Sequence, residues 1–155
     1  MAGLLMRRDL AVQLDDHSQP QTFAGNALSA EVCMTNLNII ERDGLVERAA
    51  EVGAEVLQRL TLEAEQLEII GDVRGRGLMI GIELVADRNT REPIAPERTA
   101  AIVDAMLQRG VIMVPCGRYG NVLRLMPSLT IPRSYLDAAI DIMLAVLSEA
   151  QLNPI

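Results

Sequence analysis

The chain reads GDVRGRGLMIGIELV from Gly71 to Val85, and this stretch decides the fold because it places a strand between helical segments. Val73 and Leu78–Val85 together predict one strand, since apolar and β-branched residues dominate them. Glycines inside a strand indicate bends or close approach of another backbone. The glycines concerned are Gly75, Gly77 and Gly81.

The polar residues of this stretch are predicted to be structural. Glu83 lies opposite its apolar neighbours in an alternating strand, which predicts a solvated face. Asp72 is expected in a turn, and Arg74 and Arg76 are expected at the surface or an interface rather than on a ligand. The segment Gly75–Gly77 lacks the phosphate-loop pattern with its lysine and also lacks the dinucleotide-binding pattern.

Helical periodicity precedes this strand. Asn26 can cap a helix that runs to about Arg42 and stops at Gly44, and a second helix is predicted from about Leu45 to Gln66. The expected apolar stripe of the first of these helices consists of Leu28, Val32, Leu37 and Ile40. The segments before it are expected to be a short strand at Ala2–Met6, a charged turn, an apolar segment at Leu10–Leu14 and a loop at Asp15–Gln21.

The second half of the chain alternates between strands and helices. Its predicted elements are a loop at Asp87–Pro96, a helix at Glu97–Gln108 closed by Gly110, strands at Val111–Val114 and Val122–Met126 joined by the turn Pro115–Asn121, and a helix from about Ser134 to Ala150. This order predicts an α+β fold, with helices packed on one face of a small, mainly antiparallel sheet.

Composition narrows the possible functions. The net charge of −7 argues against nucleic-acid binding, which needs a positive surface. Apolar runs end well short of a membrane span, and Arg7 and Arg8 come too early for a signal peptide, so the cytoplasm is the expected location.

Cys33 and Cys116 match no metal spacing and are expected to be buried or free thiols rather than a disulfide. His17 stands alone, which is too little for a Ser/His/Asp triad.

Arg124 is the first candidate for a binding residue. It interrupts the apolar run Val122–Met126, and a guanidinium buried there needs an anionic partner. Its planar fork fits a carboxylate in two-pronged fashion. Two alternatives remain open, a salt bridge to a core carboxylate and an edge strand with Arg124 in water. The residues alone favour these alternatives.

Three segments carry a family resemblance. They are QTFAGN at Gln21–Asn26, GDVRGRG at Gly71–Gly77 and GNVLR at Gly120–Arg124. In order and spacing they resemble the class III pyridoxal-phosphate (PLP) aminotransferases, and the resemblance extends over roughly Ala2 to Glu149. It implies the C-terminal portion of a fold-type-I enzyme, with residues 1–44 as a remnant of the large PLP-binding domain and residues 45–155 as the C-terminal small domain.

The resemblance also implies two site residues. Thr22 stands where the family binds the PLP phosphate of the other subunit, which implies a homodimer; the alternative is an ordinary loop residue before Asn26. Arg124 stands where the family grips the carboxylate of the amino or oxo acid.

The implied reaction moves an amino group from an ω-amino acid to a 2-oxo acid. Cys116–Val122 most resembles the 4-aminobutyrate branch, while the diaminobutyrate and acetylornithine branches stay open. The family holds PLP as a Schiff base on a lysine amine. This chain contains no lysine. No catalytic residue is therefore assigned, and the chain alone is predicted to be inactive and a doubtful binder of PLP.

Two further hypotheses come from a different class. The chain could be an interaction module that pairs with a separately supplied large domain, because its sheet and first helix would expose apolar surface that needs covering. It could also be a binding domain that uses Arg124 for a small carboxylate without catalysis.

Overall fold

The computed structural model describes residues 6–13 and 25–152. The chain divides between Gly44 and Leu45 into two compact units. Residues 2–5 of the strand predicted at Ala2–Met6, the loop at 15–21, His17 and Thr22 lie outside the described residues.

The first unit contains helices α1 (Arg8–Ala11) and α2 (Ala27–Arg42). The predicted cap is confirmed, because the Asn26 side-chain oxygen accepts a hydrogen bond from the Ser29 N–H at 3.0 Å. Gly44, with a φ of +57°, follows the end of α2 as expected. The charged turn after residue 6 is instead the short helix α1. No residue of α2 is buried, and the exposed members of its predicted apolar stripe are Leu28, Val32 and Leu37.

The second unit begins with α3 (Leu45–Ala64), which ends two residues before the predicted limit. The single strand predicted around Val73–Val85 is wrong, because two strands lie there, β1 (Ile70–Arg76) and β2 (Met79–Asp87). They form an antiparallel hairpin in which Arg76 pairs with Met79. Gly77 adopts a φ of +56°, a left-handed conformation that reverses the chain at this point.

The remaining elements complete a sheet covered by helices. They are β3 (Glu92–Pro93), α4 (Pro96–Gln108), β4 (Val114–Cys116), β5 (Val122–Leu125) and α5 (Arg133–Leu152). The predicted loop before α4 therefore contains a short strand, which pairs with β2. The strand predicted at Val111–Val114 begins only at Val114. Its first N–H, that of Val111, instead donates to the Met106 carbonyl oxygen at the end of α4.

The sheet has the strand order β1-β2-β5-β4, and every neighbouring pair is antiparallel. One face of this sheet packs with α3, α4 and α5 into a single apolar cluster. Fully buried members of that cluster include Leu60, Ile80, Ile82, Leu84, Ile102, Met106, Leu123, Leu136, Ile140 and Met143. The predicted α+β class is confirmed. The core is aliphatic, and burial of each such side chain contributes about 1.5–3 kcal/mol.

Candidate functional site

The opposite face of the sheet carries the candidate binding residue. Four residues lie side by side in one row across the strands, because Arg74 pairs with Gly81, Gly81 with Arg124, and Arg124 with Val114. Side chains alternate along a strand, so Arg124 lies on the face opposite the core residues Leu123 and Leu125. We call this side of the sheet the outer face, and the row from Arg74 to Val114 the arginine row.

The Arg124 side chain is exposed and makes no hydrogen bond or ion pair with any residue in 6–13 or 25–152. Its strand, β5, lies between β2 and β4 and so is not an edge strand. The edge-strand alternative is therefore wrong about the position in the sheet, although the side chain is exposed as that alternative supposed. The other alternative, a salt bridge to a core carboxylate, is not found among the described residues.

A cleft of about 320 Å³ adjoins Arg124. Segment 110–114, which leads into β4, forms one wall, and the end of β5 with the following Met126 and Pro127 forms another. Ile131 and the α5 residue Leu136 also line it. Among the described residues that line the cleft, Arg124 is the one that carries a charge. An apolar cleft with a single cation at its margin suits a ligand with a carboxylate and an aliphatic chain.

Three charged residues form a network beside the arginine row. One Arg74 nitrogen donates to an Asp72 carboxylate oxygen at 2.7 Å and to a Glu83 carboxylate oxygen at 2.6 Å. These bonds, that with Asp72 first and that with Glu83 second, raise the pKa of Arg74. The expectation that Asp72 lies in a turn is wrong, because it pairs with Glu83 inside the hairpin. Glu83 is on the outer face as predicted, but only 28% of its side chain is exposed.

Asn121 positions the strand that carries Arg124. It is 3% exposed, and its side-chain N–H donates to the Leu84 carbonyl oxygen at 2.8 Å. The Leu84 N–H in turn donates to the Asn121 carbonyl oxygen at 2.8 Å. This role of Asn121 was not predicted from the sequence. The available signal was an amide side chain after Gly120, immediately before an apolar strand.

The other sequence expectations concern residues outside this site. Cys33 and Cys116 are free thiols, as predicted. Across residues 6–13 and 25–152 no three metal-ligating side chains gather into a possible site. Within the same residues, no helix combines the length and the apolar character that crossing a bilayer requires.

The chemistry of the side chains does not fit covalent anchorage of PLP. Its aldehyde needs a primary amine, and all 14 basic residues of the chain are arginine. A guanidinium stays protonated in proteins and is therefore a poor nucleophile.

Aminotransferases are among the known proteins that this chain resembles. The sequence profile of the family Aminotransferase class-III matches residues 1–147. An Arabidopsis thaliana protein, alanine–glyoxylate aminotransferase 2 homolog 2, mitochondrial, is 41% identical over 143 residues, which cover 92% of this chain and 28% of the relative. The 4-aminobutyrate aminotransferase of Mycobacterium bovis is 42% identical over 130 residues, which cover 83% of this chain and 28% of the relative.

Other relatives carry out different chemistry. The alanine/serine racemase of Pyrococcus horikoshii is 34% identical over 142 residues, covering 92% of this chain and 29% of that protein.

Among solved structures, a Bacillus anthracis aminotransferase superposes with a TM-score of 0.76 at 35% identity, covering 83% of this chain and 30% of that one. The chain thus spans less than a third of the length of these relatives. The profile match covers nearly the whole sequence, and the chain belongs to the class III aminotransferase family.

Proposed function

We propose that this chain forms the carboxylate-binding part of a PLP-dependent aminotransferase that moves an amino group from an ω-amino acid to a 2-oxo acid. The observation that supports this proposal is the position of Arg124, exposed beside an apolar cleft and without an ion pair among the described residues. In this proposal residues 1–44 belong to the large domain and residues 45–155 form the small domain.

Arg124 would bind the substrate through its planar guanidinium. Two parallel N–H groups donate to the two oxygens of one carboxylate, which fixes both the distance and the orientation of the acid. The exposed apolar residues of the cleft, Ile112, Val114 and Met126, suit the methylene groups between the carboxylate and the amino group. We propose a 4-aminobutyrate-like donor because relatives of that name share about two fifths of their aligned residues with this chain.

Other parts of the proposal involve residues beyond this site. PLP, when bound, would supply the chemistry that carries the amino group between the two acids. The Thr22 hydroxyl would donate a hydrogen bond to the PLP phosphate of a partner subunit, in a homodimer. The amine that holds PLP would come from outside these 155 residues, because they include no lysine.

A binding experiment tests the role of Arg124. The chain is titrated with 2-oxoglutarate and with 4-aminobutyrate while NMR follows the arginine side-chain N–H resonances. We expect Arg124→Ala to abolish saturable binding, and Arg124→Lys to weaken it because an ammonium cannot form the two-pronged contact. Arg76→Ala is the matched control, since Arg76 is also exposed, lies in β1 and has no ion pair within the described residues. Equal affinity in the wild type and Arg124→Ala would refute the proposed role.

A turnover experiment tests the role of the missing amine. The purified chain is incubated with PLP, 4-aminobutyrate and 2-oxoglutarate, and glutamate is measured. We expect no glutamate above a protein-free control, because no side chain in the sequence is a primary amine. Glutamate that forms in proportion to the amount of chain added would show that this expectation is wrong.

A second candidate function is that of an interaction module. It is favoured by α2, whose side chains Leu28, Val32 and Leu37 are each at least half exposed. Exposed apolar stripes of this kind mark binding surfaces for other proteins. Stable co-purification with a separately expressed, lysine-bearing large domain would support this function. If α2 forms the contact, the Val32→Asp variant would no longer co-purify with that domain.

A further inference from the structure

The two arginines of the arginine row share one potential partner. Gly81 separates Arg74 from Arg124 across three adjacent strands, and Glu83 follows two residues later on the same face of β2. Glu83 is therefore diagonal to both arginines. Diagonal neighbours in an antiparallel pair lie about 7–8 Å apart, within reach of long side chains. Gly81 places no side chain between the two arginines, and the side chain of Val122, which pairs with Glu83, lies 3.2 Å from the position that a Gly81 Cβ would take.

Glu83 pairs with only one of these two arginines. Its carboxylate accepts a hydrogen bond from Arg74 at 2.6 Å, while Arg124 has no ion pair among residues 6–13 and 25–152. Arg74 also holds Asp72, which lies directly opposite Glu83 in the hairpin. Like charges directly opposite each other in a sheet repel. Arg74 therefore does two things, since its positive charge offsets the repulsion between these two carboxylates and its hydrogen bond keeps Glu83 on the β1 side of β2.

Without Arg74, Glu83 would have a different best partner. Repulsion from Asp72 would favour a Glu83 side chain that turns away from β1, and the cation on that side is Arg124. A carboxylate tethered one strand away competes with a dissolved carboxylate at a high effective concentration. Arg124 would then be neutralised within the sheet and would bind an external acid more weakly.

We propose that Arg74 is a positioning residue that keeps Glu83 away from Arg124 and so leaves Arg124 available to a ligand carboxylate. This inference rests on the proposed binding role of Arg124. It assigns the Asp72–Arg74–Glu83 network a function besides stabilising the hairpin.

The test compares four forms of the chain: wild type, Arg74→Gln, Glu83→Gln and the double variant. Each is titrated with 2-oxoglutarate and followed by NMR. We expect Arg74→Gln to weaken binding by about two- to fivefold, the range set by exposed ion pairs. Glu83→Gln alone is expected to bind like the wild type. The double variant is expected to regain wild-type affinity, which a general structural defect from loss of Arg74 would not produce.

A ligand-free readout separates this inference from the proposed function. In Arg74→Gln the side-chain N–H resonance of Arg124 is expected to shift, and in the double variant to return. High salt should reduce the shift, because an exposed ion pair is screened. An unchanged Arg124 resonance in Arg74→Gln, or a double variant that binds as weakly as Arg74→Gln, would overturn the inference. If the resonance shifts as expected but wild-type binding does not depend on Arg124, the Arg74–Glu83 arrangement is supported and the proposed function is the part that fails.

Discussion

Gly53 of α3 lies directly against the backbone of Gly77, the residue at which β1 turns into β2. A Cβ atom added to Gly53 would overlap the carbonyl group of Gly77. The helix and the hairpin can approach this closely only because Gly53 has no side chain, whereas a Cβ on Gly77 would lie at an ordinary contact distance from Ala49. The contact joins the first helix of the second unit to the turn between β1 and β2, which was not predicted from the sequence.

We expect Gly53→Ala to lower the free energy of unfolding by about 1–3 kcal/mol, because the helix and the turn must move apart to admit the methyl group. The change is measured by urea unfolding. Helix propensity alone would have the opposite sign, since alanine is favoured over glycine by about 1 kcal/mol in a helix interior. Ala54→Gly, at the exposed neighbouring position, measures that propensity in the same helix. A stabilised Gly53→Ala variant would contradict the packing argument.

Asn121→Ala is expected to lower stability by about 0.5–1.5 kcal/mol, since the Leu84 carbonyl oxygen loses its side-chain donor and keeps only the Ile94 N–H. Thermal and urea unfolding both report this change. Asn89→Ala serves as the control, because Asn89 is exposed and its side chain makes no hydrogen bond within the described residues. A cost no larger than that of Asn89→Ala would show that the Asn121 side chain does not hold β5 in place.

Arg48 of α3 is expected to hold the segment between β5 and α5. Its guanidinium donates to the carbonyl oxygens of Leu129 and Ile131, the latter at 2.6 Å. Hydrogen bonds from a charged donor contribute about 1.5–3 kcal/mol, so Arg48→Met should destabilise by an amount in this range. Hydrogen exchange should show faster opening at the Ile131 amide, which donates to Ser128. Unchanged exchange at Ile131 in Arg48→Met would argue against this role.

The ion pair between Arg109 and Glu149 predicts a pH dependence. Both nitrogens of the Arg109 fork contact the Glu149 carboxylate, at 3.0 and 2.5 Å. The hydrogen bond lowers the pKa of Glu149 from its ordinary value of 4.5. A lowered pKa in the folded state stabilises the fold above pH 4.5, and this contribution is lost as the pH falls through the lowered value.

The difference in urea midpoint between the wild type and Glu149→Gln should therefore be present at neutral pH and shrink in acid. Added salt should also reduce it, because both side chains are exposed. Glu97→Gln is the control, because Glu97 has no ion pair in the described part of the chain. A difference that grows as the pH falls would contradict the assigned sign.

Local patterns predicted most of the helices. The Asn26 cap, the three- and four-residue apolar spacing of α3 and the glycine after α4 depend on hydrogen bonds and contacts within a few residues, so they can be read from the sequence. The β1–β2 hairpin is harder to predict from the sequence. Nothing in a run of apolar residues distinguishes a bent strand from two paired strands, unless the turn at Gly77 is recognised.

The sequence by itself determined the aliphatic core, the α+β class, the resemblance to class III aminotransferases and the choice of Arg124 as a carboxylate-binding candidate. Only the tertiary structure decided what surrounds Arg124. Strand pairing set Arg74, Gly81 and Arg124 side by side and placed Glu83 diagonal to both arginines. These residues lie up to 50 positions apart, and their register depends on which strands pair, so no local pattern encodes it.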